Sequence, residues 1–215
     1  MNEPDDAQQQ VIELARGGDE AALATLFQMY RKKLKSMVEF RMDVNLRGRV
    51  DPSDVIQESY LELAKRLGEF RAKEDMSPFV WMRLVTMERM LNLHRRHVAT
   101  QKRDARREFS IDHELGLDVT SITLAAGLLG KLSSASGRVV RDEQKAKLHQ
   151  LLDQMSQDDQ EIIALRMFEG VSNGEAAEIL GQSPKATSKR FVRAISRLRS
   201  AMNVIPGLSE LFSND

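Results

Sequence analysis

Asp54, Glu58 and Glu62 fall at i, i+4 and i+8, so a helix over this segment carries three carboxylates along one face. Paired carboxylates of that kind can act as an acid–base dyad. Here no histidine, glycine-rich phosphate loop or metal-ligand set accompanies them, and such a stripe reads instead as a solvated or a docking face. His94 and His97 stand at i, i+3, a spacing compatible with a metal ion. Their neighbours are basic and no carboxylate shares their face, so no metal is expected. Cysteine is absent, which excludes disulfides, thiolate metal sites and a cysteine nucleophile. No Ser-His-Asp set stands out either, and the expectation is a protein without catalytic residues, cofactor or small-molecule substrate.

The remaining constellation is cationic. Residues 185–199 hold six bases and no acid (Lys185, Lys189, Arg190, Arg193, Arg197 and Arg199), on a segment that also offers hydroxyls at Ser183, Thr187 and Ser188. Such a block is what phosphate neutralisation and base-edge hydrogen bonding require. Residues 83–107 carry eight bases against Glu88 and Asp104, and residues 31–49 carry seven against Glu39 and Asp43. Residues 153–178 reverse the sign with seven acids and one base, so a formal net charge of zero over 215 residues conceals strong segregation. Basic blocks suit nucleic acid; acidic ones suit a basic protein partner, or the basic 83–107 block of the same chain, a pairing that would mask DNA binding.

Helices must position these groups. Asp51-Pro52, Ser77-Pro78 and Ser183-Pro184 each read as an N-cap followed by proline at the first helical position. After each, apolar residues recur at helical spacing: Val55, Ile56, Leu61, Leu63 and Leu67; Phe79, Met82, Val85 and Met90; Phe191, Ile195, Leu198 and Met202. No segment alternates as a strand does, and the fold class is all-α. Between 116 and 137, ten of 22 residues are Gly, Ser or Thr, which reads as a linker with a short apolar turn at 124–129. The expected organisation is an N-terminal domain over 11–112, a linker over 113–140 and a C-terminal domain over 141–203. No apolar run approaches the roughly 18–20 residues of a membrane span, and the acidic N-terminus is unlike a signal peptide, so a cytoplasmic protein is expected.

In the C-terminal half, a helix near 173–180 places small Ala177 where a second helix crosses, and Gly181 supplies a left-handed turn. Ser183 then starts a helix whose first turns are polar and basic. This is the pattern of a DNA-binding helix-turn-helix, with Ser183, Lys185, Thr187, Ser188, Lys189, Arg190 and Arg193 as candidate DNA contacts.

Taken together, Asp51-Pro-Ser-Asp-Val-Ile-Gln-Glu-Ser-Tyr60, Phe79-Val-Trp-Met-Arg83, Arg95-Arg96 and Lys102-Arg-Asp-Ala-Arg-Arg-Glu108 resemble bacterial RNA polymerase sigma factors of the extracytoplasmic-function type. The stretch Leu165-Arg-Met-Phe-Glu-Gly-Val-Ser-Asn-Gly-Glu-Ala-Ala-Glu-Ile-Leu-Gly181 is similar to the C-terminal domain of the same family, and the details resemble a planctomycete-like subgroup most. The resemblance implies transcription initiation with core RNA polymerase (its β′ clamp helices and β flap), promoter DNA and an anti-sigma factor as partners. It implies that Asp54, Ile56, Gln57 and Glu58 dock the polymerase. It assigns the loop over 69–77 and the helix from Pro78 to the minus-ten element, with Arg89, Asn92, Arg95, Arg96 and His97 meeting DNA. It assigns the helix from Lys185 to Arg193 to the minus-thirty-five element. Glu88 departs from the family pattern by placing an acid among DNA-facing bases, and Trp81 is expected in the core rather than against a base. A stand-alone helix-turn-helix regulator is the competing reading; it has no use for a polymerase-docking face.

Overall fold

The computed structural model describes residues 3–42, 48–101, 121–131, 138–203 and 205. Ten helices follow one another: α1 (Glu3–Arg16), α2 (Glu20–Arg41), α3 (Pro52–Lys65), α4 (Leu67–Ala72), α5 (Pro78–Gln101), α6 (Ser121–Lys131), α7 (Arg138–Asp153), α8 (Gln157–Met167), α9 (Asn173–Ile179) and α10 (Pro184–Asn203). No strand occurs among the described residues, as the all-α expectation requires. The chain divides into two compact units, Met1–Leu117 and Asp118–Asp215.

In the first unit α3 packs between α2 and α5. The caps act as the sequence requires: Asp51 accepts from the Ser53 N–H at 2.6 Å, and Ser77 Oγ accepts from the Val80 N–H at 3.4 Å. Leu23, Leu26, Leu34 and Met37 of α2 meet Val55, Ile56 and Leu63 of α3 and Phe79, Met82 and Met90 of α5, all buried. Trp81, 1% exposed, stacks on Phe70 with ring centroids 4.8 Å apart, which places it in the core as expected.

In the second unit α6 belongs with α7 and α8. This revises the stretch expected to be linker. Leu124, Ala125 and Leu128, spaced i, i+1 and i+4, are fully buried, and Ser121 Oγ bonds to the Asp153 carboxylate. Lys131 donates to the Met167 carbonyl at 2.7 Å and lies 4.6 Å above the Phe168 ring, closing the C-terminus of α8. Burial lowers the pKa of its amine. Residues 102–120, 132–137 and the tail from 206 lie outside the described residues.

Candidate polymerase and nucleic-acid interfaces

On α3 the docking candidates separate by burial. Asp54 and Gln57 are exposed, whereas Ile56 is 1% exposed and offers a partner no side chain. Ile56 instead floors a groove of about 540 Å³ walled by Phe27, Gln28, Arg31, Tyr60 and Leu61. Leu61, expected in the apolar stripe, instead turns 60% of its surface to solvent at the edge of this groove. Upstream, the Ser53 backbone N–H and hydroxyl, with Lys35 at longer range, hold the Asp51 carboxyl below its ordinary pKa.

Glu58 and Arg89, assigned from sequence to two different partners, hold each other. Arg89 Nε donates to Glu58 Oε2 at 2.8 Å and Nη2 donates to the same oxygen. Two of the five N–H donors of Arg89 are thereby engaged on α3, and the side chain is held against Glu58. One turn further along, Arg66 donates to Glu62 at 2.7 Å and to Glu88 at 2.6 Å, with Lys65 3.6 Å from Glu62. Glu88 thus faces an arginine of the α3–α4 corner, which neutralises the acid that departs from the family pattern. The Glu88 bond, then the Glu62 bond, raise the Arg66 pKa, and Arg66 lowers that of Glu62. Asn92, Arg95 and Arg96 remain on the exposed surface of α5; the His97 side chain lies outside the described residues. No cluster of three potential metal ligands occurs among the described residues.

The stretch expected as a loop over 69–77 is helical to Ala72, so the loop is 73–77, and it is fixed to the end of α4 by a residue that its sequence neighbourhood did not mark. Arg16, at the end of α1, donates to the carbonyls of Phe70 at 3.1 Å, Lys73 at 2.9 Å and Met76 at 2.7 Å. Its guanidinium also lies 4.4 Å above the Phe70 ring. Arg71 answers by donating to the Arg16 carbonyl at 3.0 Å and to that of Gly17. The Phe70 and Lys73 carbonyls also accept the Lys73 and Met76 N–H groups, and Arg16 adds a second donor to each and one to Met76 from more than 50 residues away, a pairing no local pattern reveals.

The helix-turn-helix is built as its residues dictate. Ser172 and Glu175 form a capping box on α9, with bonds of 3.2 and 2.7 Å. Ala176 and Ala177 are buried at the crossing, and Gly181 turns the chain at φ +60°. Ser183 caps α10 through the Ala186 N–H at 3.3 Å. Two candidate readers are then reassigned. Thr187 is 0% exposed; its hydroxyl bonds to the Ser183 carbonyl at 3.1 Å and it begins the buried stripe continued by Ala194, Leu198 and Met202. Arg190 is drawn toward α8, 3.0 Å from Asp158 and 3.3 Å from Asp159. Asp159, only 4% exposed, also accepts from Arg197 at 2.6 Å. Part of the acidic block 153–178 is thereby an internal counter-charge to α10. Ser183, Lys185, Ser188, Lys189 and Arg193 stay exposed.

The family described as ECF sigma factor matches residues 7–204, and this chain belongs to it. It is 26% identical to the RNA polymerase sigma-H factor of Pseudomonas aeruginosa over 196 residues, covering 90% of this chain and 93% of that one. It is 27% identical over 154 residues to the RNA polymerase sigma factor NccH of Alcaligenes xylosoxydans xylosoxydans, covering 71% and 73%. Among solved structures, CnrH in complex with the cytosolic domain of CnrY is similar at 20% identity, with a TM-score of 0.48 over 92% of this chain and 97% of that one. The chain is thus a sigma factor that acts in transcription initiation with RNA polymerase, a family that is not an enzyme class. No helix among the described residues is long and apolar enough to cross a membrane.

Proposed function

We propose that this sigma factor docks core RNA polymerase through Asp54, Gln57 and Leu61 of α3, and that Glu58 orders that face through Arg89. Polymerase β′ clamp helices, a basic coiled coil, are the partner that an acid and amide ridge beside an apolar edge would take; the β flap would hold the C-terminal unit. The exposed cations of α5, Arg95 and Arg96, with Asn92, engage the minus-ten element, and α10 reads the minus-thirty-five element. The observation that carries this reading is the combination of a docking face on one unit with a cationic ridge on the other. An anti-sigma factor would compete for the α2–α3 groove, and a cytoplasmic, planctomycete-like sigma factor is the reading that fits the sequence motifs.

Run-off transcription with purified core polymerase on genomic promoter fragments tests the proposal. New start sites that appear only with this chain, and that fall away with Asp54→Ala as core binding weakens, are expected. DNA binding without new starts and without core association would transfer the reading to a stand-alone regulator.

A further inference from the structure

The reading face of α10 contains one residue that phosphate neutralisation does not explain. Val192 is 65% exposed, more than any other large hydrophobic residue recorded as exposed among the described residues. It stands seven residues after Lys185, four after Ser188 and three after Lys189, all exposed, so at 100° per residue these four side chains form one ridge. The buried stripe through Thr187, Ala194 and Leu198 lies on the opposite side of the helix. Arg190 and Arg197 lie away from the ridge, beside the buried stripe, and pair with Asp158 and Asp159.

A β-branched side chain in water is an unfavourable choice for a helix surface, since it loses rotamer freedom and gains no packing. Where the cations beside it meet phosphate they attract any sequence equally, and at base edges they read guanine, not thymine. With Thr187 buried, Val192 is the apolar group the ridge can present to base edges. In the major groove, the apolar feature that distinguishes one base is the C5 methyl of thymine. Val192 lies about 10 Å along the axis from Lys185, the first residue of the ridge, at about 1.5 Å per residue, which is within the roughly 12 Å width of the major groove.

We propose that Val192 is a specificity-determining residue of α10 that packs against a thymine methyl of the minus-thirty-five element. This rests on α10 being the minus-thirty-five reader. A methyl buried against two Val methyls excludes water from one edge of the base pair, and cytosine in its place offers an amino donor with no partner there.

The test uses holoenzyme reconstituted from core polymerase and the full chain, on a promoter found by run-off transcription. Each thymine of the minus-thirty-five region, on either strand, is replaced in turn by deoxyuridine, which removes only the methyl. One position is expected to weaken wild-type holoenzyme binding about fourfold, the size of one buried methyl. Val192→Ala, which favours the helix and removes the packing surface, is expected to bind the thymine and uracil promoters equally. If no position separates wild type from Val192→Ala although scrambling the element abolishes binding, the proposal is overturned and α10 still reads the element. Indifference of wild-type holoenzyme to scrambling would remove the minus-thirty-five assignment and this inference together. An element without any A·T pair also overturns it.

Discussion

Charge reversal at Glu58 separates a docking role from a structural one. Glu58 accepts two donors from Arg89, with the side chains 44% and 23% exposed. An exposed pair contributes about 0.2–1 kcal/mol; two donors on an arginine that is largely shielded place this one near the upper end, about 1 kcal/mol. Glu58→Gln keeps one acceptor and is expected to cost about 0.5–1 kcal/mol, while Glu58→Lys sets a cation against Arg89 and is expected to cost about 1–2 kcal/mol. The assay is a double-mutant cycle of Glu58→Gln and Arg89→Gln in the full chain, with local stability read from hydrogen exchange of α3 and α5 amides. A coupling of about 1 kcal/mol at low salt, smaller in 1 M salt where the Debye length is about 3 Å, is expected. Coupling below about 0.2 kcal/mol would show that the pair does not organise the α3–α5 face, and Glu58 would return to the list of free docking carboxylates.

Arg16→Ala removes three carbonyl bonds from the 70–76 stretch; faster exchange at residues 73–76 and a loss of about 1–3 kcal/mol are expected, with Arg16→Lys recovering only part because one amine cannot span three carbonyls. On α10, Lys185, Lys189 and Arg193 are exposed while Arg190 and Arg197 are engaged by Asp158 and Asp159, so the salt slope of minus-thirty-five binding is expected near −2.7, about −0.9 for each of three phosphates, instead of about −4.5 for five; Asp159→Asn is expected to steepen it, and an unchanged slope would discard the counter-charge role. Glu62 has its pKa lowered in the folded chain by Arg66. Its contribution is therefore present above the ordinary carboxylate pKa and lost as pH falls through the lower folded value; Glu62→Gln is expected to flatten that part of the acid-side stability curve, which a pH series of unfolding midpoints reads.

Local signals in the sequence revealed more of this molecule than pairwise ones. Asp51-Pro52, Ser183-Pro184 and Gly181 place helix starts and the turn correctly because each acts on backbone groups within a few residues. Thr187 reads as a polar contact in the sequence because a hydroxyl counts as polar until its own i−4 carbonyl satisfies it, after which it packs like valine. The glycines and serines of 116–137 concealed the Leu124–Leu128 stripe of α6, since composition averages over residues that face opposite ways. Arg89 with Glu58 and Arg16 with the 70–76 carbonyls span 31 to 60 positions, and only the tertiary fold brings such groups together. Ile56 shows the opposite confusion: a residue in a docking motif can serve by shaping the groove floor without touching the partner.

The stacking of Trp81 on Phe70 also gives the molecule an optical label. Trp81 is the single tryptophan of the chain and belongs to the first unit. Its indole is sealed at 1% exposure with Nε1 bonded to no protein acceptor. Its emission should be blue in the native chain and shift red when α4 and α5 part, while events confined to the helix-turn-helix leave the spectrum unchanged. A titration of the free chain with promoter DNA, excited selectively at the indole, would therefore report on the α4–α5 junction alone.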